Sequence, residues 1–143
     1  MKKHPYTVLA VDDDNVTLKF FQQVLGVHYN LYVAASAMLM FDVLTSIEAM
    51  SKPLPDLIIL DVVMPDMNGY EAARLLKKHD KYKNIPIIFV TSDRCEISRA
   101  QGMQIGAADY IYKPFIKEQL LMRIQSLIDI NILEKKLEKE RRQ

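Results

Sequence analysis

Three carboxylates, Asp12, Asp13 and Asp61, stand with Thr91, Ser92 and Lys113 at the ends of apolar runs. Brought together, these side chains suit a site that holds a divalent cation and a phosphoryl group at once. Mg²⁺ takes octahedral oxygen ligands and keeps several waters. Asp12, Asp13 and Asp61 could fill part of that shell, with the carbonyl of Val63 close by in sequence as a neutral donor. Three acids in one small site repel each other, so without a cation at least one should hold its proton unusually tightly. Asp61 has the chemistry of a nucleophile towards phosphorus, which would give an acyl phosphate. Phosphoryl transfer depends mainly on positioning and on positive charge around the equatorial oxygens. Lys113 offers that charge, Thr91 offers a hydroxyl, and the small Ser92 leaves room for an oxygen beside the backbone. Lys113 precedes Pro114, and a cis peptide bond there would fix how the lysine points. Singly, each feature has a plainer reading. Acids gather at helix N-termini, threonines cap helices, and a lysine before a proline is ordinary loop chemistry.

The elements that would position these residues alternate along the chain. Short aliphatic runs read as buried strands over residues 6–11, 31–34, 56–60, 87–90 and 110–112. Helical patterns follow each of them. Asn15 is the expected cap of the first, with Gly26 as its stop, and Ser36 opens the second. Asn68 with Glu71 has the spacing of a capping box, and Asp93 with Glu96 repeats it. Gly106 should end the fourth helix. The result is an α/β chain of (βα)5 type, with a parallel sheet covered on both faces. In such sheets ligands bind outside the carboxyl ends of the strands, where Asp12, Asp61, Thr91 and Lys113 fall.

From 116 to 142 there is neither Gly nor Pro. Apolar residues recur at Leu120, Ile124, Leu127, Ile130, Leu133 and Leu137, a spacing close to a heptad seam without keeping one. The first three or four would cover the sheet and the rest overhang it. Residues 1–128 therefore read as one domain. Residues 129–143 read as a helical extension, a linker or coiled-coil-like segment that pairs with a copy of itself or leads to an output domain.

The chain has 143 residues, 50% of them apolar, and a net charge of +1. That fits one folded domain and carries no electrostatic footprint for nucleic acid. No apolar run reaches the length of a membrane span. The lone Cys95 excludes an internal disulfide, fits a reducing cytoplasm, and reads as a buried or half-exposed helix thiol. The methionines read as core filler, because most fall within helical patterns.

Val11-Asp12-Asp13, the run from Leu60-Asp61 through Met64-Pro65-Asp66-Met67-Asn68-Gly69, Val90-Thr91-Ser92 and Lys113-Pro114-Phe115 together resemble the receiver domain of two-component response regulators. Gly106-Ala107-Ala108-Asp109-Tyr110 also fits that family's approach to its last strand. The resemblance covers residues 6–128. It implies a flavodoxin-like, doubly wound fold with strand order 2-1-3-4-5. It implies that Asp61 accepts a phosphoryl group from a sensor histidine kinase or phosphotransfer protein. Asp13 and Asp61 would bind Mg²⁺ directly, Asp12 through water and Val63 through its carbonyl. Lys113 and Thr91 would bind phosphate, and Tyr110 would rotate inward behind Thr91. The face made by the fourth helix, fifth strand and fifth helix would then change its preference for an effector or a second copy. By this resemblance the chain is a cytoplasmic signalling domain rather than an enzyme, apart from its own phosphotransfer and slow dephosphorylation. Positions 63 and 93 influence that hydrolysis in the family, and the apolar Val63 cannot orient an attacking water.

Three other readings compete, one of them a flavodoxin-like cofactor module, which would need a phosphate-cradling loop of Ser, Thr or Gly where this chain has acids after its first strand. Asp12-Asp13-Asp14-Asn15-Val16 resembles the first motif of haloacid dehalogenase-type phosphohydrolases, with Asp12 as nucleophile. It lacks the later acid pair and leaves Asp61 without a role. A pseudo-receiver would act only through protein contacts, although here every key position is filled.

Overall fold

A computed structural model describes residues 4–142. Five strands, β1 (Thr7–Val11), β2 (Asn30–Ala34), β3 (Leu57–Asp61), β4 (Ile87–Thr91) and β5 (Asp109–Tyr112), form one parallel sheet in the order β2-β1-β3-β4-β5. The connecting helices are α1 (Asn15–Leu25), α2 (Ala37–Ala49), α3 (Gly69–Lys78), α4 (Glu96–Ile105) and α5 (Lys117–Arg141). This is the doubly wound, flavodoxin-like fold expected, with a long last helix.

The strands alternate their side chains between two apolar layers, because successive residues of a strand point to opposite faces. Ile58, Leu60 and Phe89 pack under α2 and α3, against Met40, Leu44, Ala73 and Leu76. Leu57, Ile59, Ile88 and Val90 pack on the other side, against Phe21 and Leu25 of α1 and Leu120, Ile124 and Ile128 of α5. Burial on both faces is why the central strands read as unbroken aliphatic runs. Among the described residues no helix is long and apolar enough to cross a membrane.

Several local expectations shift. The cap of α1 is Asp14, whose carboxylate accepts the Val16 N–H, rather than Asn15. Ser36 caps α2 as expected, and Asn68 with Glu71 forms the capping box of α3. Asp93 and Glu96 form no such box. Asp93 accepts from the Cys95 N–H instead, so the chain turns once more before α4 begins. Cys95 is consequently an exposed residue at the helix start. Gly106 ends α4 in the left-handed conformation that favours glycine. Of the methionines, Met40 and Met64 are buried, whereas Met38, Met50, Met103 and Met122 are exposed. Helical spacing alone does not say which face a residue occupies.

Candidate functional site

The strand register brings the acids together. β1 pairs with β3 so that Val11 lies opposite Leu60, which sets Asp12 beside Asp61 at the carboxyl edge. This is the point where the strand order reverses, the crevice in which open α/β sheets bind ligands. β3 pairs with β4 through Asp61 and Val90, and β4 with β5 through Thr91 and Tyr112. Lys113 then follows directly, its N–H bonded to the Thr91 carbonyl at 2.8 Å.

Asp12, Asp61 and Thr91 are buried, while Asp13 and Ser92 are exposed. One carboxylate oxygen from each of Asp12, Asp13 and Asp61 lies within 4.8 Å of the others. The Lys113 ammonium is 2.7 Å from Asp12 and 3.7 Å from Asp61. The second Asp12 oxygen accepts the Asp14 N–H at 2.9 Å. Asp12 is thus bonded on both oxygens, and Asp61 is the less committed acid. Burial pushes the Asp61 carboxyl up to about 7, reinforced by the charges of Asp12 and Asp13 and opposed by Lys113. Burial also pulls down on Lys113, but its hydrogen bond to Asp12 and the charge of Asp61 outweigh that and hold it above its ordinary value.

The loops are fixed from outside the site. The peptide between Lys113 and Pro114 is cis. Phe115 stacks on Phe21 at 6.1 Å between centroids and meets Phe20 edge-on at 5.6 Å, anchoring the lysine loop to α1. At the start of α3, a Cβ on Gly69 would sit 2.2 Å from the Asp61 carbonyl oxygen, so only glycine allows this helix to approach the acid's backbone. Thr91 Oγ1 accepts the Asp93 N–H at 3.1 Å. That bond leaves the hydroxyl proton free to donate.

Tyr110 lies buried beneath α4, packed beside Phe89. Its hydroxyl meets that of Tyr70, which also bonds the Ser98 carbonyl at 2.7 Å. A Cβ on Gly102 would fall 2.9 Å from the Tyr70 ring and 3.0 Å from the Tyr110 ring, so a bare backbone makes room for both. Sequence reading singled out Tyr110 but missed Tyr70, Gly102 and the anchoring role of Phe115. On the outer face, the Arg94 guanidinium lies 4.8 Å over the Tyr112 ring, and Arg123 pairs with Asp109 at 2.7 Å.

Comparison with known proteins agrees with this arrangement. The model of the response regulator receiver domain matches residues 8–125. Hybrid signal transduction histidine kinase D of Dictyostelium discoideum is 32% identical over 133 residues, 93% of this chain and 8% of its own length. Response regulator PleD of Caulobacter vibrioides is 33% identical over 120 residues, 84% of this chain and 25% of its own. A CheY-like receiver domain protein from Methanospirillum hungatei superposes with a TM-score of 0.76 at 26% identity, covering 90% of this chain and 98% of that one. The chain thus spans a small part of these two curated relatives and nearly all of the solved receiver domain. It belongs to the family of response regulator receiver domains, the phosphorylation-dependent switch modules of two-component signalling.

Proposed function

We propose that Asp61 is the phosphoacceptor, charged by the phosphohistidine of a sensor kinase or phosphotransfer protein in the cytoplasm. The observation that carries this reading is the environment of Asp61: a buried carboxyl at the sheet's reversal point, beside two acids and a lysine. A carboxylate oxygen of Asp61 bonds to phosphorus as the phosphorus–nitrogen bond breaks and the imidazole leaves. Asp61 must be ionised to attack, and its raised pKa opposes that.

The three carboxylates fit Mg²⁺, a hard cation that takes oxygen donors. Asp12, Asp13 and Asp61 would hold it, with the Val63 carbonyl. Bound there, Mg²⁺ neutralises the crowded acids and the charge on the phosphoryl oxygens. Lys113 leaves its contact with Asp61 to pair with a phosphoryl oxygen, Thr91 donates its hydroxyl proton to another, and Ser92 leaves space for it. Thr91 and Tyr110 form the switch, coupling that event to the face built from α4, β5 and α5. Inverting a 1:99 population through it needs about 5.5 kcal/mol of differential stabilisation. That face, or the C-terminal helix, receives an effector or a second copy. Residues 1–128 act as the switch and the rest of α5 as its connection to an output.

Asp12 is a poor alternative nucleophile, because both its oxygens already accept bonds. Intact mass after incubation with acetyl phosphate and Mg²⁺ tests the assignment. Wild type should gain one phosphoryl group that is acid-stable and base-labile, and Asp61→Ala should gain none. Steady turnover of acetyl phosphate that survives Asp61→Ala but not Asp12→Ala would reverse it, and no gain in any protein would leave a pseudo-receiver.

A further inference from the structure

Leu120, Ile124 and Ile128 bury one stripe of α5 against the sheet, while Ile130, Leu133 and Leu137 remain exposed. At 3.6 residues per turn the exposed stripe lies roughly 140° around the helix from the buried one. The same line continues backwards through Ser126 and Arg123 and forwards to Glu140, all exposed. From Ser126 onward it is therefore a seam facing away from the domain, while at its inner end Arg123 reaches back to Asp109 of β5. A second α5 could lie on it without meeting either domain's core.

The charges beside the seam decide how. In a parallel, in-register pair, Arg123 would face Arg123 and Glu140 would face Glu140. The flanking positions would set Asp129 against Glu134 and Lys136 against Arg141, since such contacts run five residues onward between parallel helices. Every one of these is a like-charge contact. In an antiparallel pair with Ile130 against Leu133 of the second copy, Leu137 faces Ser126 and the apolar contacts close around the centre. Arg123 then faces Glu140, and Asp129 lies beside Lys136, each twice by symmetry. The existing contacts of these groups, Arg123 with Asp109 and Asp129 with Gln125, lie within each chain. We infer that the exposed seam of α5 is a self-association surface, and that its occupant is an antiparallel α5 from a second copy of this chain. This takes the self-association proposed above to one surface and one orientation. It rests on α5 alone and is read without phosphorylation.

Charge reversal distinguishes the orientations. Sedimentation at low salt should show wild type dimerising, with Asp129→Lys and Lys136→Glu each about five- to tenfold weaker, and the double variant restored. In a parallel pair the same single changes would meet Glu134 or Arg141 and tighten association, which would overturn the inference. A wild type that stays monomeric at every concentration would also overturn it. Leu133→Asp, at an exposed position, should be folded and monomeric. In a Cys95→Ser background, Ser126→Cys protein mixed with differently tagged Leu137→Cys protein should form a mixed disulfide on oxidation. Recovery of like-with-like disulfides alone would count against the antiparallel arrangement. Asp61 phosphorylation of each variant, followed separately by mass, keeps a failure here distinct from a failure of the phosphoacceptor assignment.

Discussion

Asp61 holds its proton up to about pH 7 because burial and two neighbouring acids oppose its charge. An acid whose folded pKa exceeds its unfolded value binds more protons in the native state between the two. Its contribution to stability is full below the ordinary carboxylate range and is lost as pH rises to about 7. In the absence of divalent cations, Asp61→Asn should therefore gain on wild type as pH rises. Urea midpoints of the two proteins in chelator should diverge between about pH 4 and about pH 7. A constant difference across that range would mean that Asp61 is not held in its protonated form. Val63 bears on the proposed phosphorylated form. Its side chain is exposed two residues beyond Asp61, the proposed acceptor, and has no group to orient water. Val63→Asn should lose its phosphoryl group faster than wild type in a mass time course, and an equal or slower loss would remove Val63 from that role. The identities of the acids, the threonine and the lysine were legible in sequence because each stands at or just past the end of an apolar run. The pairing of Lys113 with Asp12 was not, since it joins positions 101 residues apart.

Strands and caps determine how closely those side chains meet. The central strands were legible because burial on both faces demands continuous aliphatic residues. Capping was legible at Asn68 and Ser36, where a side chain reaches a free N–H of its own helix. It was misread at Asp93, whose carboxylate is occupied by a turn ahead of α4. Tyr70 carried no signal, because its partners Tyr110 and Ser98 reach it only through packing of α3, α4 and β5. Gly69 shows how local backbone governs the site. Adding a methyl group there would press on the Asp61 carbonyl and push α3 away from β3. Gly69→Ala should cost about 2–3 kcal/mol in denaturant unfolding and slow phosphorylation of Asp61. A variant as stable and as reactive as wild type would show that this close approach is dispensable.

Taken as one molecule, the chain is a sheet that gathers its chemistry at one edge and a helix that extends beyond the body. Strand alternation and the family motifs made the layered fold legible. The exposed faces were less so, as the methionines show, because helical spacing gives a period and not a direction. The two faces available for partners have different chemistry. The α4–β5–α5 face carries arginines over aromatic rings, whereas the outer seam of α5 is apolar and flanked by charge of both signs. In the proposed switch, a change at the carboxyl edge reaches the first through Thr91 and Tyr110, whereas the second is set by α5 alone. The proposed switch depends on where phosphorus would be bound. Borohydride reduction of the acyl phosphate formed with acetyl phosphate and Mg²⁺, followed by peptide mass analysis, reads that position directly. Conversion of Asp61 to homoserine, with Asp12 and Asp13 unchanged, is the predicted result. Conversion at Asp12, or a phosphorylated protein with Asp61 intact, would contradict it.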